Sequence, residues 1–321
     1  MMSLDLIDRK MLSILDMNGR IPITSLSKKL RIGRDTANYR LQRLIREGII
    51  TKFVAQIDTT KLGYCVYKIF YKFQNVNKEK KKEIFGWFVD NEFIYWIAES
   101  KGKWDANITI FARDIHHLDG IITEFVNKYG QYIAEQEFNT TLEVGALQKN
   151  WKIPVQEREL RRLFIDKFEK TKIGDIDLKI LKLISNNARL KTTEIAQKLK
   201  ITERIAHYRI EYLEKERIIL GYSISVDYNK LGKHFFKSII YLNTLSSSLK
   251  SKIIEYCKAN PSIIYYILCI GSWSLELEFA VDSNEEYYEE MDRFRESVPE
   301  IKGYETLIFP KEYKFEWMPT K

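Results

Sequence analysis

The chain has 321 residues, 45% hydrophobic and 30% charged, with only 14 Gly and 6 Pro, a composition that excludes a disordered or collagen-like chain. At ~100–200 residues per domain it holds two to four compact units, and its formal charge of +8 favours a polyanionic partner. No run approaches the ~18 apolar residues of a membrane span and the N-terminus is unlike a secretory signal, so a cytoplasmic protein without a membrane partner is expected. Cys65, Cys257 and Cys269 are scattered, and His116, His117, His207 and His234 have no metal-ligand spacing, so no metal and no cofactor are expected.

In chain order, Leu6, Ile7, Met11, Leu12, Ile14 and Leu15 recur at three- and four-residue spacing and predict a first helix. Thr24 is placed as the cap of a short second helix ending near Leu30. Arg31, Ile32 and Gly33 make a turn, and a third helix runs over 34–47 until Gly48 stops it. That spacing is a helix-turn-helix. A short hairpin is expected from Phe53 to Asp58. The period then changes, giving a strand over 64–73, a helix over 78–90, strands over 93–99 and 107–111, a helix over 115–128 and a strand over 132–141. This β-α-β-β-α-β order is ferredoxin-like. Within 156–172, Leu160, Leu163, Phe164 and Phe168 have helical spacing and predict a linker helix with one apolar face.

Beyond the linker the design begins again. Shifted by 169 residues, Asp8 falls on Asp177, Arg20 on Arg189, Tyr39 and Arg40 on Tyr208 and Arg209, and Gly102 and Trp104 on Gly271 and Trp273, without a gap. The second copy places Thr193 as a cap, a turn at 200–202, a third helix over 203–216 and a hairpin from Tyr222 to Asp227. Strands follow over 235–242, 263–270, 275–281 and 303–309, with helices over 249–259 and 285–295. The expected fold class is α+β: two winged helix-turn-helix domains and two ferredoxin-like βαββαβ sensor domains in tandem. The expected boundaries are 1–53, 54–148, a linker helix at 149–172, 173–222 and 223–321.

Leu4-Asp5-Leu6-Ile7-Asp8, Asn18-Gly19-Arg20, Tyr39-Arg40-Leu41, Glu47-Gly48-Ile49-Ile50 and Gly102-Lys103-Trp104-Asp105 together resemble the Lrp/AsnC (feast/famine) family of transcription regulators. The resemblance covers nearly the whole chain twice. It implies a DNA-binding head and a sensor domain that pairs two units and often binds an amino acid at their interface. Since such proteins normally dimerise as single copies, two fused copies are expected to form one covalent pseudo-dimer, with homo-oligomers of pseudo-dimers as a further level.

On the first recognition helix, Ala37, Leu41 and Leu44 form the inward stripe. Arg34, Thr36 and Tyr39 are therefore candidates for base edges, and Arg40, Arg43 and Arg46 for phosphates of double-stranded DNA. In the second head the candidates are Arg204, Tyr208, Arg209 and Tyr212, while Glu203 and Glu211 replace Arg34 and Gln42. Head one has eleven basic against five acidic residues and head two ten against seven, so head two should bind DNA more weakly. Unequal half-sites ~34 Å apart follow. In the sensors, the resemblance implies effector contacts at Gly102, Trp104 and Asp105 and at Gly271, Trp273 and Ser274. The alternative is that both tryptophans pack an interface.

Two rivals stand beside the regulator. Siroheme decarboxylases share the two-part architecture, but 97–110 and 266–279 contain no histidine and no arginine, leaving general acid and propionate-binding groups missing. The other rival is a small-molecule sensor whose heads bind protein, against which the basic excess argues. No catalytic constellation is found, and a non-enzyme is expected.

Overall fold

The computed structural model describes residues 4–153, 157–164, 171 and 173–319. The first head is α1 (Leu6–Met17), α2 (Ile23–Leu30) and α3 (Arg34–Arg46). Asp5 and Asp8 open α1 with a reciprocal capping box: the Asp8 N–H donates to Asp5 at 2.8 Å and the Asp5 N–H to Asp8 at 3.3 Å. Pro22, not Thr24, stands at the N-cap of α2 without a side-chain hydrogen bond. A proline presets φ but offers no acceptor there, and Thr24 falls inside the first turn.

The chain continues with β1 (Ile50–Ile57), β2 (Cys65–Phe73), α4 (Lys78–Asp90), β3 (Ile94–Lys101), β4 (Ala106–Ala112), α5 (Ile115–Tyr129), β5 (Ile133–Leu147) and β6 (Leu160–Leu163). The second copy is α6 (Asp175–Ser185), α7 (Thr192–Leu199), α8 (Glu203–Lys215), β7 (Ile219–Val226), β8 (His234–Leu242), α9 (Ser247–Ala259), β9 (Ile263–Gly271), β10 (Leu275–Val281), α10 (Asn284–Ser297) and β11 (Ile301–Phe315). Lys191, not Thr193, caps α7, as Pro22 does α2.

Neither head forms its expected hairpin. Instead β1 pairs antiparallel with β7 of the other copy, Phe53 opposite Ile224 and Ala55 opposite Tyr222. After β1 the chain enters a 3-10 turn (Thr59–Leu62) capped by Asp58, so no returning strand is at hand and only the other copy satisfies that edge. The linker helix is also corrected. Leu160–Leu163 is a strand running antiparallel to the end of β5, with Leu160 opposite Leu147 and Leu163 opposite Val144. Backbone pairing to an open edge outweighs the helical spacing of those leucines. Phe168 lies outside the described residues.

The strands β5 and β11, 15 residues each, run past the ends read from the sequence. The first part of β5 pairs with β2 of its own copy, Thr140 opposite Tyr67, and the second with β9 of the other, Ala146 opposite Tyr265. Likewise β11 pairs with β8, Glu305 opposite Ile239, and then with β3, Glu312 opposite Ala98. The order β2-β4-β3-β11-β8-β10-β9-β5 thus closes where β5 returns to β2, an antiparallel barrel of eight strands.

Outside the barrel, Phe85 and Phe88 of α4 and Phe125 of α5 pack on Ile69 and Ile108, and α9 and α10 cover the second copy in the same way. Each head core is completed from the other copy. Leu12, Leu15, Leu41 and Leu44 of the first include Ile224 of β7, and Ile180, Ile184 and Leu213 of the second include Val54 and Ile57 of β1. At roughly 1.5–3 kcal/mol per buried side chain, these exchanges tie the heads to one ribbon.

Candidate nucleic-acid interface

Arg31 and Lys200 take left-handed conformations, both at φ 55° and ψ 43°, reversing the chain sharply after α2 and α7. The next helices, α3 and α8, bury Ala37, Leu41 and Leu44, or Ala206, Ile210 and Leu213. Their opposite faces are exposed: Arg34, Thr36, Asn38, Tyr39, Gln42 and Arg46 in head one, Arg204, Ile205, His207, Tyr208 and Glu211 in head two. Tyr39 and Tyr208 are 62% and 61% exposed, an unusual position for a large ring on a packed helix. Asn38 was missed as a candidate.

Arg40 and Arg43 are not free phosphate ligands as expected. Arg40 donates to Asp5 at 2.7 Å and to Asp8 at 2.9 Å, and Arg43 donates to Asp8 at 2.5 Å. Asp8 is fully buried, so its charge draws both guanidinium groups back onto α1. Burial raises the Asp5 carboxyl, but the Asp8 N–H and Arg40 together outweigh it and hold it below the usual range. In head two Arg209 forms a bidentate pair with buried Asp177 and lies 4.6 Å over the half-buried ring of Tyr212. The signal was present: Asp8 and Arg40 both recur in register at Asp177 and Arg209.

The expected effector contacts are also placed. Trp104 and Trp273 are buried inside one end of the barrel with Phe70, Ile239 and Leu307, as the packing alternative describes. The Asp105 carboxylate accepts from the Phe73 N–H at 2.9 Å and stands 3.4 Å from Lys72, bracing its own copy's β2. The Ser274 carbonyl accepts from the Cys269 N–H. Gly102 and Gly271 have φ of 122° and 148°, and a Cβ on Gly271 would lie 2.7 Å from the Phe138 carbonyl. These glycines let the loops close against β11 and β5.

Deeper in the barrel lies a polar cluster that sequence reasoning missed. Glu276, fully buried, accepts from Lys68 of the other copy at 2.5 Å, from Lys237 at 2.8 Å and from Trp273 Nε1 at 3.0 Å, while Glu278 stands 2.9 Å from Lys237. Burial alone would raise the Glu276 carboxyl, but Lys237 and Lys68 outweigh it and hold it at about 2. Burial lowers Lys68, with Glu276 only partly opposing it. Lys68 and Lys237 coincide under the 169-residue shift, whereas Glu276 falls on Asn107. The Asn107 amide and Trp104 Nε1 find no partner among the described residues.

Between this cluster and the β1–β7 ribbon lies a cavity of about 1150 Å³. Lys68, Lys237 and Thr109 form its barrel side, Thr51, Val54, Ser223 and Ser225 its ribbon side. A shallower hollow of about 620 Å³ lies outside, beside His116 and His117. Among the described residues no group could hold a metal ion, and no helix is long and apolar enough to cross a membrane.

Known proteins match these parts. Residues 4–51 and 174–219 each match the winged helix-turn-helix DNA-binding family. The HTH-type transcriptional regulator PH1916 of Pyrococcus horikoshii is 30% identical over 145 residues, covering 44% of this chain and 96% of the relative. The regulator Ptr1 of Methanocaldococcus jannaschii is 31% identical over 121 residues, 38% of this chain and 80% of the relative. Each thus corresponds to less than half of the chain. Among solved structures, the siroheme decarboxylase NirDL shares the fold over 98% of this chain and 94% of its own, with a TM-score of 0.66 and 13% identity.

Proposed function

Since this chain belongs to the Lrp/AsnC family of transcription regulators, two copies in one polypeptide, we propose that it is a sequence-specific DNA-binding regulator modulated by a small effector. The observation that carries the reading is the pair of helix-turn-helix heads, on one shared ribbon, whose second helices expose their N-terminal faces. On α3 we assign Thr36, Asn38 and Tyr39 to base edges and Arg34 and Arg46 to phosphates; on α8 we assign Arg204 and Tyr208 to a weaker contact. Arg40, Arg43 and Arg209 instead position these helices on α1 and α6. We place the protein in the cytoplasm. The test is fluorescence anisotropy against its own upstream DNA and an unrelated duplex at several salt concentrations. Preference for the first with a steep salt slope supports the reading, and no binding to either at low salt refutes it.

The cavity and the fold shared with NirDL favour, as a second reading, a tetrapyrrole enzyme. We place it second because the lining, among the described residues, offers one histidine, His234, and no arginine. Incubation with siroheme is expected to leave its spectrum unchanged.

A further inference from the structure

The cavity has a definite chemistry. Four of its rings form a chain: Tyr228 stacks on Phe235 at 5.5 Å, Phe235 meets Phe309 at 5.6 Å, and Phe309 meets Trp96 edge-on at 5.5 Å. Such a wall favours a flat aromatic body. Seven lysines line the cavity against the carboxylates of Asp227, Glu278 and Glu312. Lys68, Lys149 and Lys233 are held from behind by Glu276, Asp16 and Asp282, which do not themselves line it. Lys52 donates to the Phe315 carbonyl at 3.2 Å and stands 3.9 Å from Glu316, so its ammonium keeps donors to spare and no carboxylate hydrogen bond. Lys311 lies 4.0 Å from the Tyr313 ring and has no carboxylate within ion-pair distance among the described residues. Glu312, next to Lys311 in sequence, is engaged by Trp96 Nε1 at 2.9 Å.

We propose that this cavity is the effector site and takes a planar aromatic ligand bearing an acidic group, with Lys52 and Lys311 receiving the acid and the ring chain receiving the body. The proposal rests on the regulator reading and adds to it a place and a ligand class. At about 1150 Å³ the cavity suits a ligand of drug size, well beyond an amino acid. The site also explains transmission. Its far wall is the β1–β7 ribbon, and Val54 and Ile224 of that wall belong to the cores of head two and head one. A ligand contacting both barrel and ribbon can therefore favour one placement of the heads over another.

The full chain is titrated with 8-anilinonaphthalene-1-sulfonate and with its uncharged analogue N-phenyl-1-naphthylamine, read by probe fluorescence. One sulfonate probe per chain is expected. Lys52→Glu with Lys311→Glu should weaken it at least about tenfold while changing the uncharged probe less than about twofold. Ala98→Trp, which fills the cavity, should exclude both probes while thermal unfolding stays cooperative. If that variant does not fold, the lysine reversals decide alone, since Lys311 is exposed and Lys52 half-buried. The proposal is overturned if the reversals leave the sulfonate affinity unchanged, or if no saturable site exists. Saturating sulfonate probe should also shift DNA affinity in the native chain and not in the double reversal; an unchanged affinity refutes the effector role. Probe binding as described in a protein that binds no DNA would retain the site and remove the regulator reading.

Discussion

Glu276→Gln removes the carboxylate shared by Lys68 and Lys237, leaving two buried ammonium groups with Glu278. Breaking one side of a buried ion pair costs roughly 3–5 kcal/mol, because the surviving charge stays desolvated. The protonation equilibrium gives an independent figure. The folded carboxyl is held at about 2 against an ordinary 4.5, and at ~1.4 kcal/mol per tenfold this is about 3 kcal/mol of stability at neutral pH. Because the folded value is depressed, that contribution is complete above pH 4.5 and disappears as the pH falls towards 2. Urea unfolding followed by tryptophan fluorescence reads both. At ~3 kcal/mol per molar the midpoint of Glu276→Gln should fall by about 1 M at pH 7, and the gap from the native chain should narrow as the pH drops below 4.5. Adding Lys68→Met should recover most of the loss by restoring charge balance. A midpoint change under about 0.3 M, or a double variant no better than the single, refutes the reasoning.

Asp8→Ala removes both the capping box and the anchor of Arg40 and Arg43; because those arginines can turn to solvent the cost should be about 2 kcal/mol, seen as faster amide exchange in α1 and α3. Arg46→Ala should lower the salt dependence of DNA binding by about one log-log unit, whereas Arg43→Ala should change it far less, since Arg43 is tied to Asp8. In Gly145→Val a Cβ would stand 1.9 Å from the Tyr266 ring across the β5–β9 seam, so about 1–3 kcal/mol of overpacking should lower the thermal midpoint by several degrees.

The helices were legible because their amphipathic stripes are local: 78–90 coincides with α4, and the stripe Ala37, Leu41, Leu44 is the buried face of α3. The sensor strands were legible for the same reason, but only over the parts that pair within their own copy. The ribbon, the second halves of β5 and β11, and β6 were read as hairpins, line ends or a helix. No residue pattern near Phe53 or Ala146 announces a partner in the other copy. The candidate site divides similarly. Tyr39 and Tyr208 follow from helix phase alone, whereas the direction of Arg40 depends on a carboxylate of α1. The glycine loops read as a ligand site are a close packing of backbone on backbone, and the cavity depends on the exchanged strands that local spacing cannot supply.

The same exchange explains what fusing two copies achieves. The interior charges of the barrel are unequal: both copies bring a lysine, Lys68 and Lys237, but only the second brings carboxylates, where the first has Asn107 and Thr109. A barrel built from two first copies would bury two ammonium groups with no counter-ion from these positions. One built from two second copies would bury four carboxylates against two lysines. Either costs several kcal/mol in desolvated, unbalanced charge, so only unlike copies pair well. Joining them in one chain makes the balanced pairing intramolecular and links one strongly basic head to one less basic head in every molecule. With both copies always present in the same chain, neither has to match itself, and both the barrel interior and the exposed faces of α3 and α8 are unequal between the copies.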